Sequence, residues 1–148
     1  MTRENLPQDD TTITADPQVP PPPLIEVTLG ETPYKDVELV WSTYWDESPE
    51  HAPVPALSLM IETDEFGPEP LAKATVNLIS HSPDDGCIFV KDWAENEGMF
   101  DSLVAAGVIE STGDVVEVNQ WGDVARQGRV LPPYADALRA AMARGLAR

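Results

Sequence analysis

The sequence predicts an α+β fold: a mainly antiparallel sheet of about five strands packed by one internal helix, with a C-terminal helix and a proline-rich N-terminal tail that is disordered or docked. Three observations carry this. Apolar residues alternate with period two over the first half of the chain beyond Leu24, clusters of Gly, Pro and Asp interrupt that alternation, and helical spacing with capping residues occurs only near positions 92–106 and after Pro133. A chain of 148 residues suits one domain with a core of its own. The expected division is a tail at 1–23, the α+β domain at 24–131 and a basic terminal helix at 132–148.

The tail is polar, and Pro7, Pro17 and the run Pro20 to Pro23 deny it helical or strand periodicity. Four consecutive prolines favour a stiff polyproline II rod, which serves as a spacer or as a docking peptide for an aromatic groove. From Leu24 the pattern changes. Ile25, Val27 and Leu29 precede Gly30, and Val37, Leu39, Trp41, Thr43 and Trp45 then share one face of a second strand whose other face carries Glu38, Val40, Ser42 and Tyr44. Pro49, Pro53 and Pro55 make the next stretch a turn region in which a central strand is not expected.

A third strand is predicted over 56–63, with Leu57, Leu59 and Ile61 aligned, and a fourth over 70–79, with Ala72, Ala74, Val76 and Leu78 aligned. Phe66-Gly67-Pro68 lies in the hairpin-like connection between them. Ser82-Pro83-Asp84-Asp85-Gly86 is a further turn leading into the short apolar strand Cys87 to Val90. The internal helix begins near Asp92, with Asp92 and Glu95 as a capping box and Trp93, Phe100, Leu103 and Val104 as its apolar stripe, and Gly107 ends it. Gly98 within it costs about 1 kcal/mol, so the helix either leans on packing or starts later, at Asn96. Short strands at 115–118 and 124–131 follow, and Pro132-Pro133 introduces the terminal helix with Tyr134, Leu138, Ala141 and Met142 on one side. The expected core is Leu39, Trp41, Leu57, Leu59, Ile61, Val76, Leu78, Val90, Phe100, Leu103 and Val104, with the internal helix on the sheet's apolar face and the terminal helix at an edge.

Charge is the strongest compositional signal, at 26 Asp+Glu against 9 Lys+Arg for a formal net of -17. Direct nucleic-acid binding is not expected, since a phosphate-binding face needs a basic stripe. The charge is uneven: Arg126, Arg129, Arg139, Arg144 and Arg148 crowd the last stretch against Asp136 alone, giving an acidic body with a basic end. That polarity suits a partner with a basic surface, or a second copy engaged through the tail or the terminal helix, and otherwise serves only solubility. No apolar run approaches a membrane span, the N-terminus lacks a signal-like apolar stretch, and Cys87 stands alone, so a cytoplasmic protein is expected.

No metal, cofactor or catalytic residue is predicted. His51, His81 and Cys87 stand in no ligand spacing, and the acidic loop at 62–67 fails as a calcium loop because Phe66 and Lys73 occupy positions that need oxygen ligands. No Gly-x-Ser-x-Gly, phosphate loop or His-Asp pairing supports a nucleophile. Trp41 and Trp45 share strand parity and read as core, whereas Trp121, in a Gln-Trp-Gly turn, reads as an exposed interface anchor.

The run Asp92-Trp93-Ala94-Glu95-Asn96-Glu97-Gly98-Met99, followed by Leu103 and Ala106-Gly107, resembles a signature of small proteins of actinobacteria, their plasmids and their phages. That signature reads Asp-Tyr-Ser-Glu-Asn-Glu-Gly-Met/Leu, then Leu and Ala-Gly; here Trp93, Ala94 and Phe100 replace Tyr, Ser and Leu, and the likeness extends over 76–131. What the resemblance implies is context, a phage or mobile-element gene for an accessory protein acting on a host component, with no activity attached. The Asn96-Glu97-Gly98 core either sets a helix start or marks a partner surface. The expected function is therefore a non-enzymatic protein-binding accessory or inhibitor. Asp92, Glu95, Asn96, Glu97, Asp101 and Trp121 are the candidate protein-binding residues, and a basic-surfaced host or virion protein is the partner. A nucleic-acid mimic in an anti-defence role and a virion or capsid accessory protein are the alternatives.

Overall fold

Leu29 and Thr32 close the first hairpin around Gly30, whose φ of 62° is what a two-residue hairpin loop asks of its first position. The computed structural model to which this belongs describes residues 23–44, 54–78 and 81–146; the expected tail as far as residue 22, Trp45 and His51 lie outside the described residues. The fold is α+β. Strands β1 (Ile25–Leu29), β2 (Thr32–Tyr44), β3 (Val54–Thr63) and β4 (Gly67–Lys73) form an antiparallel meander in the order β1-β2-β3-β4. Strands β5 (Cys87–Val90), β6 (Ile109–Glu117) and β7 (Val124–Val130) form a second antiparallel sheet in the order β5-β7-β6, and the helices are α1 (Met99–Ala105) and α2 (Tyr134–Leu146).

Period-two alternation places Ile25, Val27 and Leu29 of β1 with Val37, Leu39 and Trp41 of β2 in the core, while Val40 on the opposite face is exposed. Leu39 sits across from Leu59 and Trp41 across from Leu57, so the largest buried side chains of β2 and β3 meet as direct cross-strand pairs. A register shift between Ile25 and Val27 is absorbed opposite Asp36, which takes a φ of 54°. In the β3–β4 hairpin a three-residue connection ends at Gly67, with φ 73°, and Thr63 Oγ1 donates to the Gly67 carbonyl at 2.9 Å.

One sheet of about five strands was expected; two are found, of four and three strands. The chain leaves the β4 ladder after Lys73. Ala74 N–H bonds to Leu57 C=O at 2.8 Å, and Thr75 then forms an isolated antiparallel bridge with Val90, which links the first sheet to β5. Val76 and Leu78, expected in the core of a longer fourth strand, are consequently only half-buried, and Ile61 is likewise packed at the core's margin. Strand β3 begins at Val54 and includes Pro55, contrary to the expectation of a proline-barred turn there. The ladder with β4 starts only at Ser58, so Pro55 faces a partner on the β2 side alone, as a proline in a strand requires. Strand β6 begins at Ile109 rather than 115 because a register shift between Ser111 and Val115 absorbs Gly113, with φ 88°.

The internal helix is shorter than expected and starts later. A 3-10 turn, Ala94–Asn96, is followed by Glu97 and Gly98, and α1 begins only at Met99. Its buried side chains are Met99, Phe100 and Leu103, and this start rotates Val104, expected in the core, out to 41% exposure. At the far end the N–H of Val108 bonds to Leu103 C=O and that of Gly107 to Val104 C=O, a Schellman closure for which Gly107 supplies a φ of 78°.

The helices also exchange their expected places. Seven residues of α1 extend only about 10 Å, too little to cover a sheet, and it packs against β1 and β6. It is α2 that lies on β2 and β3 and reaches β7, burying Tyr134, Leu138 and Ala141. No described helix is long and apolar enough to cross a membrane.

Candidate protein-binding surface

The segment from Lys91 to Asp101 is held from inside by three residues. Asp92 does not form the expected capping box; its Oδ1 accepts from the Phe100 N–H at 2.9 Å, and so caps α1 from the loop that precedes it. Asn96 is 1% exposed. Its Nδ2 donates to Lys73 C=O at 2.7 Å and to Lys91 C=O at 3.3 Å, tying the end of β4 to the exit of β5, while its Oδ1 is buried without a partner. Gly98 adopts a φ of 94°, and a Cβ there would lie 2.7 Å from the Thr28 carbonyl oxygen. Nearby, the Gly30 N–H bonds to Glu97 C=O at 2.7 Å, which anchors the loop on the first hairpin.

The acidic side chains of the same segment point outward. Glu95 pairs with Lys91 at 2.5 Å, and that hydrogen bond, more than any other influence, holds its carboxyl below the usual range. Lys91 also lies 6.0 Å from the Trp93 ring centre. Glu97 is exposed. Asp101 on α1 is exposed and stands 3.9 Å from the Arg126 guanidinium, which stacks on the Phe100 ring at 3.9 Å. Among the described residues, Arg126 is thus the one predicted basic-end residue with an ion pair to this face.

Trp121 is 78% exposed at the β6–β7 turn, where its N–H bonds to Asn119 Oδ1 at 2.9 Å and Asn119 Nδ2 in turn bonds to Asp123. No hydrogen bond, ion pair or ring contact joins Trp121 to the other five candidate residues among the described residues. Of the six, Glu95, Glu97, Asp101 and Trp121 face solvent, Asp92 is engaged in capping and Asn96 is enclosed.

A polar knot around Gln127 had no sequence signal. Gln127 is 2% exposed; its Oε1 accepts from Asp84 N–H at 2.8 Å, and its Nε2 donates to Asp84 Oδ2, Thr112 Oγ1 and Asp114 Oδ2 at 3.0 to 3.1 Å. The knot clamps the 82–86 turn to the outer face of the second sheet. Cys87 beside it is buried, and burial, seconded by Asp84, pushes its thiol up against the opposing influence of Arg129. That is the reverse of an activated nucleophile. No group of His, Cys, Asp and Glu able to hold a metal occurs among the described residues, and His81 is exposed.

Comparison with known proteins returns no matching family model, no matching curated protein and no matching solved structure.

Proposed function

We propose that this chain is a non-enzymatic accessory or inhibitory protein of phage or mobile-element origin, which binds a host protein with a basic surface through the acidic face around Glu95, Glu97 and Asp101. The observation that carries the reading is the division of labour along one segment. Asp92, Asn96 and Gly98 lock its backbone from within, so the outward carboxylates are presented on a frame that needs no further ordering to bind. A net charge of -17 adds long-range attraction for a basic partner and speeds encounter at low salt. Trp121 offers a separate apolar anchor of the kind that interfaces bury. The resemblance of the 92–99 run to actinobacterial phage and plasmid proteins supplies the host context.

The test is affinity capture from an actinobacterial lysate at low and at moderate salt, with wild type beside the triple variant Glu95→Ala, Glu97→Ala, Asp101→Ala. A protein retained by wild type and released by the triple change supports the reading. A DNA- or RNA-handling protein that elutes with salt moves it to nucleic-acid mimicry in an anti-defence role. Co-purification with particles and no host protein moves it to a virion role.

A further inference from the structure

The two sheets end on β1, β4, β5 and β6, and the first three of these edges are guarded, each by its own device. On β1, Ser102 Oγ accepts from the Thr28 N–H at 2.9 Å and donates to its C=O at 3.1 Å, and the Gly30 N–H is taken by Glu97. Strand β4 carries Pro68 and Pro70, which have no N–H to offer. On β5 the Phe89 C=O accepts from the Val76 N–H at 3.2 Å, and the Lys91 N–H donates to Ala74 C=O at 2.8 Å. Among the described residues no strand pairs with β6 on the side away from β7. Past the bulge that ends at Val115 the ladder runs unbroken through Val116 and Glu117, and the Val118 N–H bonds to Asp123 C=O at 3.0 Å. That bond fixes the phase: Val116 and Val118 turn their main-chain groups to β7, while Val115 and Glu117 turn theirs to solvent. Val115, Val116 and Val118 are β-branched and Val115 is 56% exposed, so the open length suits strand pairing in its side chains as well.

We infer that an extended, lysine- or arginine-bearing segment of a partner adds to β6 in antiparallel register and extends the second sheet by one strand, which rests on the proposed function for the partner itself. Val115 lies across from Arg126, which stacks on Phe100, and Glu117 shares that face, so the incoming strand meets one apolar and one acidic side chain there. Asp114, exposed at the near end, adds a second carboxylate and already accepts from Gln127. Neither Glu117 nor Asp114 has an ion pair among the described residues. A second copy is the wrong occupant. It would bring its own Asp114 and Glu117 to the same edge, and each chain carries a net charge of -17. The two carboxylates thus guard the edge against self-pairing and select a basic strand. Trp121 stands exposed at the tip of the same hairpin, an anchor for side chains that continue beyond the paired length.

The probe is a blocked peptide, Thr-Lys-Val-Val-Lys-Thr, whose lysines fall opposite Glu117 and Asp114 when its valines oppose Val116 and Val115. It is titrated into the full chain and followed by NMR. At saturation the Val115 and Glu117 amides should exchange about tenfold more slowly, while the Val118 amide, already bonded to Asp123, should change little. The same peptide N-methylated at the residues opposite Glu117 and Val115 keeps its charge and should bind about tenfold more weakly. With glutamates in place of its lysines it should not bind. Equal affinity for the N-methylated or the glutamate peptide overturns the inference, as does an unchanged Glu117 amide in the presence of the lysine peptide. Glu117 protection in the protein alone that fades on dilution also overturns it, since the edge then belongs to a second copy. The triple variant Glu95→Ala, Glu97→Ala, Asp101→Ala should bind the lysine peptide within about twofold of wild type. Loss of binding in that variant puts the peptide on the acidic face and overturns the inference, whereas retained binding supports this edge even where capture from lysate fails.

Discussion

Gly98 and Thr28 approach so closely that a single methyl group at position 98 would stand 2.7 Å from the Thr28 carbonyl oxygen. The contact joins the acidic loop to the first hairpin and explains why a glycine, an apparent flaw in the expected helix, sits immediately before α1. Gly98→Ala should therefore cost about 2–4 kcal/mol, from left-handed backbone strain and from the clash together, read as a lower urea midpoint with an unchanged slope. An unchanged midpoint would mean that the hairpin shifts freely.

Asn96→Ala removes the bonds to the Lys73 and Lys91 carbonyls and leaves both less well satisfied. A loss of about 1–3 kcal/mol is expected by thermal or urea unfolding. Asp92→Ala, which uncaps α1 at Phe100, should cost about 1 kcal/mol, with Asp92→Asn retaining most of the cap.

The strand framework was readable from residues alone because alternation there reports burial directly: Val37, Leu39 and Trp41 lie where period two places them, as do Leu57 and Leu59. The terminal helix was equally plain from Tyr134, Leu138 and Ala141 after a proline pair. Features that depend on contacts distant in sequence were not readable. Gly98 is explained by Thr28, Pro55 by where the β4 ladder stops, and the early start of β6 by a bulge within Ser-Thr-Gly-Asp, a run that otherwise signals a turn. The acidic character of the candidate surface was evident from composition. The burial of Asn96 and the Gln127 knot were not, because polar side chains belong on the surface by default and only folding shows which ones find enough partners to go inside.

Glu95 should report its pairing in a pH titration. Its folded pKa lies below the ordinary 4.5, so the stabilisation from Lys91 is fully present above that value and is lost as pH falls through the lowered one. In Lys91→Met the NMR titration of the Glu95 carboxyl should move upward and the pH dependence of stability in this acid range should flatten. A Glu95 titration that ignores the change would remove the pair from the account.

Gln127→Ala strands the Asp84 N–H and brings two carboxylates together without their shared donor, for an expected loss of about 1–3 kcal/mol. Cys87 lies against the same knot and should react with a thiol reagent only as fast as the fold opens, so the variant should also label faster. Labelling of native wild type at the rate of a free thiol would show that Cys87 is not enclosed.

The central claim is that residues 92–101 separate a structural interior from a binding exterior, and one paired measurement tests it: unfolding midpoint and partner capture for the Glu95→Ala, Glu97→Ala, Asp101→Ala triple variant. The account predicts a midpoint close to wild type, since all three side chains face solvent, together with loss of the captured protein at low salt. Capture of the same protein in undiminished amount by a folded triple variant would contradict it.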